Sequence, residues 1–243
     1  MNTVLSLNEI LTRPDVWCAD RLASAGLSAI PTVSSGFAEL DAELPGGGWP
    51  RGALTEVLAD GAGFGECSLL LPALRASSED ARWSLLLAPP HGVDATAWAS
   101  RGIDLARLAV VAPKRPRDVL WAAAHALASG AVGTLLCWTA RIDAAQVRRL
   151  QVAAAGSATL AFLFRPRQAQ TEASAASLRL ALGTGPRGTL AVDLLKRRGP
   201  PCARTLYLPV ARPLPWREDY ESFVACPASA AAAARSQRSL AVA

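Results

Sequence analysis

The chain has 243 residues, 51% of them hydrophobic, and a formal net charge of +5. That suits one α/β domain with a real core and a tail, since single domains commonly reach roughly 200–250 residues. No apolar run approaches the ~18–20 residues of a membrane span, and the N-terminus lacks a charged region followed by an apolar stretch; a cytoplasmic protein without membrane contact is expected.

Along the chain, residues 6–30 read as a short amphipathic helix around Leu7–Leu11, an Arg13-Pro14-Asp15 break and a second helical piece with Trp17. Strands are expected near 53–59, 84–88, 108–112, 133–138, 158–164, 178–183, 189–195 and 204–209. The early ones are continuous apolar runs, as in a parallel sheet covered on both faces. Helices near 66–77, 94–102, 117–128 and 143–155 separate them, the βαβ alternation of a doubly wound fold. Pro116 and Gly130 bracket the third helix as start and stop signals. The last three strands read as more antiparallel, with Leu190, Val192 and Leu194 alternating against Asp193. Beyond about residue 211 the chain turns proline- and alanine-rich and lacks a core-forming pattern, so a flexible tail is expected. Trp216 is its candidate contact residue. The expected organisation is therefore a helical segment 1–30, a core 31–210 and a tail 211–243.

Cysteines 18, 67, 137, 202 and 226 show no CxxC pairing and only two histidines accompany them. This spacing argues against zinc and for reduced thiols, with Cys67 and Cys137 as small buried hydrophobes. Charge is divided unevenly: residues 1–140 carry −4 and residues 141–243 carry +9. A basic half points to a polyanion or an acidic partner surface. Its candidate contacts are Lys196, Arg197 and Arg198 at a strand–turn junction, with Arg165 and Arg167 from a second turn, together expected as one patch on a sheet edge.

The most informative stretch follows the first core strand. A phosphate-binding loop there would carry glycines, then Gly-Lys-Thr/Ser, then a helix. The chain instead reads Asp60-Gly-Ala-Gly-Phe-Gly65-Glu66-Cys67-Ser68 before the apolar run of a helix. Gly65 keeps its register, but Asp60 replaces the opening glycine, Glu66 the lysine and Cys67 the metal-holding hydroxyl. Two carboxylates at the phosphate position repel ATP, by several kcal/mol in a poorly solvated pocket.

The lead-in VSSGFAELDAELPGGGWPRGALTEVL (33–58) resembles the RecA recombinase core. Residues 84–113 are similar to the RecA segment carrying the catalytic glutamate, whose position is Pro90, with His91 retained as scaffold. Residues 129–140 are similar to the strand ending in the Walker B aspartate, whose position is Trp138. The resemblance implies a RecA-like, mostly parallel sheet flanked by helices, a degenerate P-loop, and a pseudo-ATPase with neither cofactor nor catalytic residue. LPGGGWPRGALTE, the altered loop and LLKRRGPP (194–201) together resemble the ImuA family of SulA-like translesion synthesis proteins. That resemblance implies a non-catalytic accessory role in the damage-inducible mutasome. Its implied partners are an ImuB-like Y-family polymerase homologue, an error-prone second replicative polymerase subunit, and RecA or DNA. The alternative is a SulA-type cell-division inhibitor that binds the tubulin-like division protein, also RecA-related and also independent of ATP.

Overall fold

The computed structural model describes residues 31–210 except 62 and 64. The expected N-terminal helices with Trp17 and Cys18, and the expected tail with Trp216 and Cys226, lie outside the described residues.

Among the described residues, ten strands and five α-helices follow in chain order. β1 (Thr32–Val33), α1 (Ala38–Asp41) and β2 (Trp49–Pro50) lead into β3 (Ala53–Ala59), α2 (Glu66–Glu79) and β4 (Trp83–Leu87). Then come α3 (Ala95–Ser100), β5 (Leu108–Val111), α4 (Pro116–Ala128), β6 (Val132–Trp138), α5 (Ala144–Ala155) and β7 (Leu160–Pro166). β8 (Leu178–Thr184), β9 (Leu190–Lys196) and β10 (Leu206–Leu208) close the described chain. The eight-stranded sheet has the order β10-β9-β8-β3-β7-β6-β4-β5. From β8 to β5 neighbouring strands are parallel; β9 and β10 continue the sheet antiparallel. All eight expected strands and four expected helices fall within a few residues of these bounds.

The strands alternate between two cores. On one face Val57, Leu86, Leu136 and Phe162 pack with Leu69, Leu70, Ala73 and Leu74 of α2. On the other, Leu54, Leu87, Leu135, Cys137 and Leu163 pack with Val119, Ala123 and Leu127 of α4 and with Val147, Leu150 and Ala154 of α5. Burial on both faces explains why these strands read as unbroken apolar runs. Local chemistry fixes the helix starts. Pro116 opens α4 without sacrificing a needed N–H. Asp143 and Gln146 form a reciprocal capping box at α5, accepting at 2.8 and 3.0 Å.

The LPGGGWPRG segment is built into this frame. A Cβ on Gly48 would lie 2.4 Å from the Val33 carbonyl oxygen, so the β1–β2 contact demands glycine. Trp49 is fully buried edge-on to Phe162, ring centroids 5.3 Å apart. LLKRRG is tied to the same region, because Arg197 donates to both the Glu43 carbonyl and, at 2.7 Å, its carboxylate.

Candidate functional site

Strands β3 and β6, which flank β7 in the parallel layer, send their chains to opposite faces: β3 into α2, β6 into α5. At such a switch point the carboxyl ends of the strands bound a crevice. A cavity of ≈ 340 Å³ opens here, lined by Val57, Ala59, Asp60 and Gly61 after β3, Ala88 and Pro90 after β4, Trp138 and Thr139 after β6, and Phe164 and Arg165 of β7. Asp60, Glu66, Pro90 and Trp138, which the sequence spreads over 79 positions, thus share one wall-to-wall site.

Glu66, at the first position of α2, is buried and turns back on its own loop: Oε1 accepts from the Gly63 N–H at 3.1 Å, and Oε2 has no partner among the described residues. Asp60 stands exposed at the lip. Gly65 enters the helix at φ +99, where a side chain is strained and where a Cβ would lie 2.9 Å from Val210. Trp138 is half-buried, its ring stacked on Phe164 with centroids 4.5 Å apart and planes 8° from parallel. The strand end after β4 is held in an uncommon conformation, Ala88 at φ 54 with its N–H on the Val111 carbonyl. His91 is exposed outside the cavity wall. Burial, and secondarily the Glu66 carboxylate, push the Cys67 thiol up to about 12. Burial alone pushes Cys137 up to about 12. Neither offers a thiolate nucleophile near neutral pH.

The expected basic patch on a sheet edge does not form. Arg165 is buried, donating to Glu56 at 3.1 Å, to the Ile142 carbonyl at 3.2 Å and to Glu172 at 2.6 Å. Arg167 donates to the Leu182 carbonyl at 3.0 Å and sits 3.8 Å from Asp193. Lys196 donates to the Ser174 carbonyl at 2.8 Å. Arg197 is committed to Glu43 and to the Pro200 carbonyl. Arg198 lines a second cavity of ≈ 360 Å³ with Pro50, Gly52 and Ala53, at the start of β3. Because β9 runs antiparallel to β8, Lys196–Arg198 point toward the opposite end of the sheet from Arg165 and Arg167.

Sequence reasoning missed the residue that organises this region. Glu56, in the middle of central strand β3, is fully buried between Arg165 of β7 and Arg179 of β8, whose Nε donates to it at 2.6 Å. Arg179 also donates to the Ala169 carbonyl at 2.7 Å. A charged residue inside the apolar run ALTEVLA was the available signal, because a buried carboxylate requires cations.

The site thus defines a class: an α/β protein with a mainly parallel sheet and a largely apolar cleft at its switch point. Comparison with known proteins narrows it. The family described as Cell division inhibitor SulA matches residues 52–161, from the start of β3 into β7. The SulA of Photorhabdus laumondii is 33% identical over 112 residues, covering 46% of this chain and 63% of that protein. The SulA of Klebsiella pneumoniae (strain ATCC 700721) is 28% identical over 99 residues, covering 40% of this chain and 59% of that protein. The crystal structure of SulA from Pseudomonas aeruginosa aligns with 46% of this chain and 97% of that chain at 28% identity, with a TM-score of 0.39. The chain spans about three fifths of the length of the curated relatives it matches.

These matches overturn the mutasome reading and its partners, the ImuB-like polymerase homologue, the second replicative polymerase subunit, RecA and DNA. The matched segment contains the altered loop and the central strands, and its relatives are named as division inhibitors. The two motifs that pointed to the mutasome have structural employment instead, joined through Glu43 and Arg197. Of the five cations expected to face DNA or a polymerase, Arg165, Arg167 and Arg197 are set against carboxylates within the fold, and exposed Lys196 and Arg198 point away from Arg165 and Arg167. No helix among the described residues is long and apolar enough to cross a membrane.

Proposed function

We infer that this chain is a non-catalytic binding protein of the division-inhibitor type, acting on the tubulin-like division protein as part of a DNA-damage response. The observation that carries this reading is the SulA family match across 52–161, which takes in the β3, β4 and β6 walls of the switch-point cleft. The cleft supports the non-enzymatic part. In a RecA-like reading of the sheet, Glu66 occupies the position of the phosphate-gripping lysine and already accepts the Gly63 N–H that an anion would use. Pro90 and Trp138 stand where a base and a metal-organising carboxylate belong, and neither side chain transfers a proton or binds a cation.

The test is light-scattering and pelleting of the purified tubulin-like division protein with GTP, with and without this chain. Inhibition that saturates near one chain per subunit is expected, together with filamentous cells on induced expression. Normal polymer mass at a tenfold excess of this chain would remove the reading.

A further inference from the structure

With Arg165, Arg167 and Arg197 set against carboxylates within the fold, Lys196 and Arg198 are what the sheet edge keeps of its free charge, and a larger group of free cations lies on the helices. α4 and α5 cover the same face of the sheet, pack against each other through one core, and run in the same direction, since both cross from the end of one parallel strand to the start of another. Their buried residues are Val119, Ala123 and Leu127 on α4, and Val147, Leu150 and Ala154 on α5. The opposite sides therefore form one continuous outer surface, with helix axes roughly 8–10 Å apart.

That surface is both basic and apolar. Arg148 and Arg149 are exposed on α5, and Lys114 and Arg115 are exposed at the start of α4; none has an acidic partner among the described residues. Trp121 is 64% exposed and Val152 66% exposed, the most exposed large hydrophobics among the described residues. Trp121 lies five residues into α4 and Arg149 five residues into α5, so they sit at comparable height. The nearby acids are spoken for: Asp118 lies 3.6 Å from Arg117, and Asp143 caps α5. One face of the Trp121 ring is already covered by His125, centroids 4.0 Å apart.

We propose that the outer face of α4 and α5 is a docking surface for an acidic, amphipathic protein segment. The free cations match carboxylates, and Trp121 with Val152 matches an apolar residue on the segment, the pairing that helix-in-groove recognition uses. A nucleic acid fits less well: aliphatic Val152, one turn beyond Arg148 and Arg149, has no counterpart on a phosphate backbone, and His125 occupies a face of Trp121 that a base would stack on. The surface is separate from the switch-point cleft, and the proposal stands whether or not the chain inhibits division.

Fluorescence anisotropy with the full chain tests it, using a labelled 18-residue peptide of glutamates with Leu and Phe at i, i+4 spacing. The same peptide with lysines replacing glutamates is the control. The acidic peptide should bind, and binding should weaken at least fivefold between 50 and 300 mM salt as screening shortens the reach of the charges. Arg148→Glu with Arg149→Glu should weaken it at least tenfold, and Trp121→Ala at least threefold, each with unchanged Tm. Lys114→Glu with Arg115→Glu provides a second charge reversal should the first fail to fold. The proposal is overturned by equal binding of the acidic and lysine peptides, by no binding of either, or by variants that bind like the parent. Tighter binding of single-stranded DNA or of phosphatidylserine vesicles than of the peptide overturns it equally.

Discussion

Replacing Glu56 by Ala removes the one carboxylate that is fully buried between two buried guanidinium groups. Side-chain exposure is 0% for Glu56, 3% for Arg165 and 9% for Arg179, so neither cation recovers water when its partner is lost. Arg165 keeps Glu172 and the Ile142 carbonyl, and Arg179 keeps the carbonyls of Ala169 and Glu172. Carbonyl dipoles do not neutralise a charge, and breaking a buried pair from one side typically costs about 3–5 kcal/mol. The two pairs share one carboxylate and are not additive, so the expected loss is about 4–5 kcal/mol, a large part of the ~5–15 kcal/mol that holds a domain together. Glu172→Ala is the internal control: its side chain is 54% exposed, and a loss below about 1 kcal/mol is expected. Urea unfolding followed by far-UV circular dichroism measures both. A third variant, Glu56→Leu with Arg165→Met and Arg179→Met, should stay within about 2 kcal/mol of the parent, because an apolar substitute of similar volume removes the desolvation cost along with the pairing. A loss under about 1.5 kcal/mol for Glu56→Ala would show that water reaches the arginines and refute the reasoning.

Calorimetry with ATP and Mg²⁺ should show no binding, and Glu66→Lys alone should restore no turnover; a Kd below about 100 µM, roughly −5.5 kcal/mol, would contradict the cleft chemistry. Trp138→Ala should cost about 2–3 kcal/mol by thermal or urea unfolding, below the usual ~3–5 for a fully buried Trp because Trp138 is half-buried and its main loss is the stack on Phe164. Cys67 and Cys137 should resist a thiol reagent at pH 8 in the native chain, since a thiol pushed up to about 12 is ionised to about one part in ten thousand there. Their raised values also mean that the unfolded chain ionises first: this contribution to stability is complete below the ordinary value of 9.0 and is lost as pH rises from there toward about 12. Arg197→Ala should lower Tm by a few degrees while Arg198→Ala leaves it unchanged. Hydrogen bonds from Arg204 and then Arg197 hold the Glu43 carboxyl below its ordinary 4.5, so that stabilisation is present above 4.5 and fades as pH falls below it. The Tm gap between parent and Arg197→Ala should close in acid.

The strands and helices were legible in the chain itself. A strand buried on both faces is apolar at most positions, and Trp83–Leu87, Val132–Trp138 and Leu160–Pro166 carry that mark locally. Pro116, Asp143 and Gln146 announce helix starts through bonds spanning three residues or fewer. The altered loop at Asp60–Ser68 was equally readable, because its spacing is its signal. What local sequence lacked was the identity of distant partners. Lys196-Arg197-Arg198 reads as a free cationic run until the β9–β10 region is laid beside Glu43, which lies 154 positions away from Arg197. Arg165 reads as a turn residue until β3 and β7 pair in register and set it against Glu56, 109 positions distant. Part of the charge expected at the sheet edge is consequently spent on carboxylates inside the fold, while Arg148 and Arg149 on α5 stay free. A residue's type and spacing determine its backbone conformation through contacts a few bonds away. Whether its charge is spent inside the fold or left for a partner depends on which strands lie side by side, and only the closed sheet decides that.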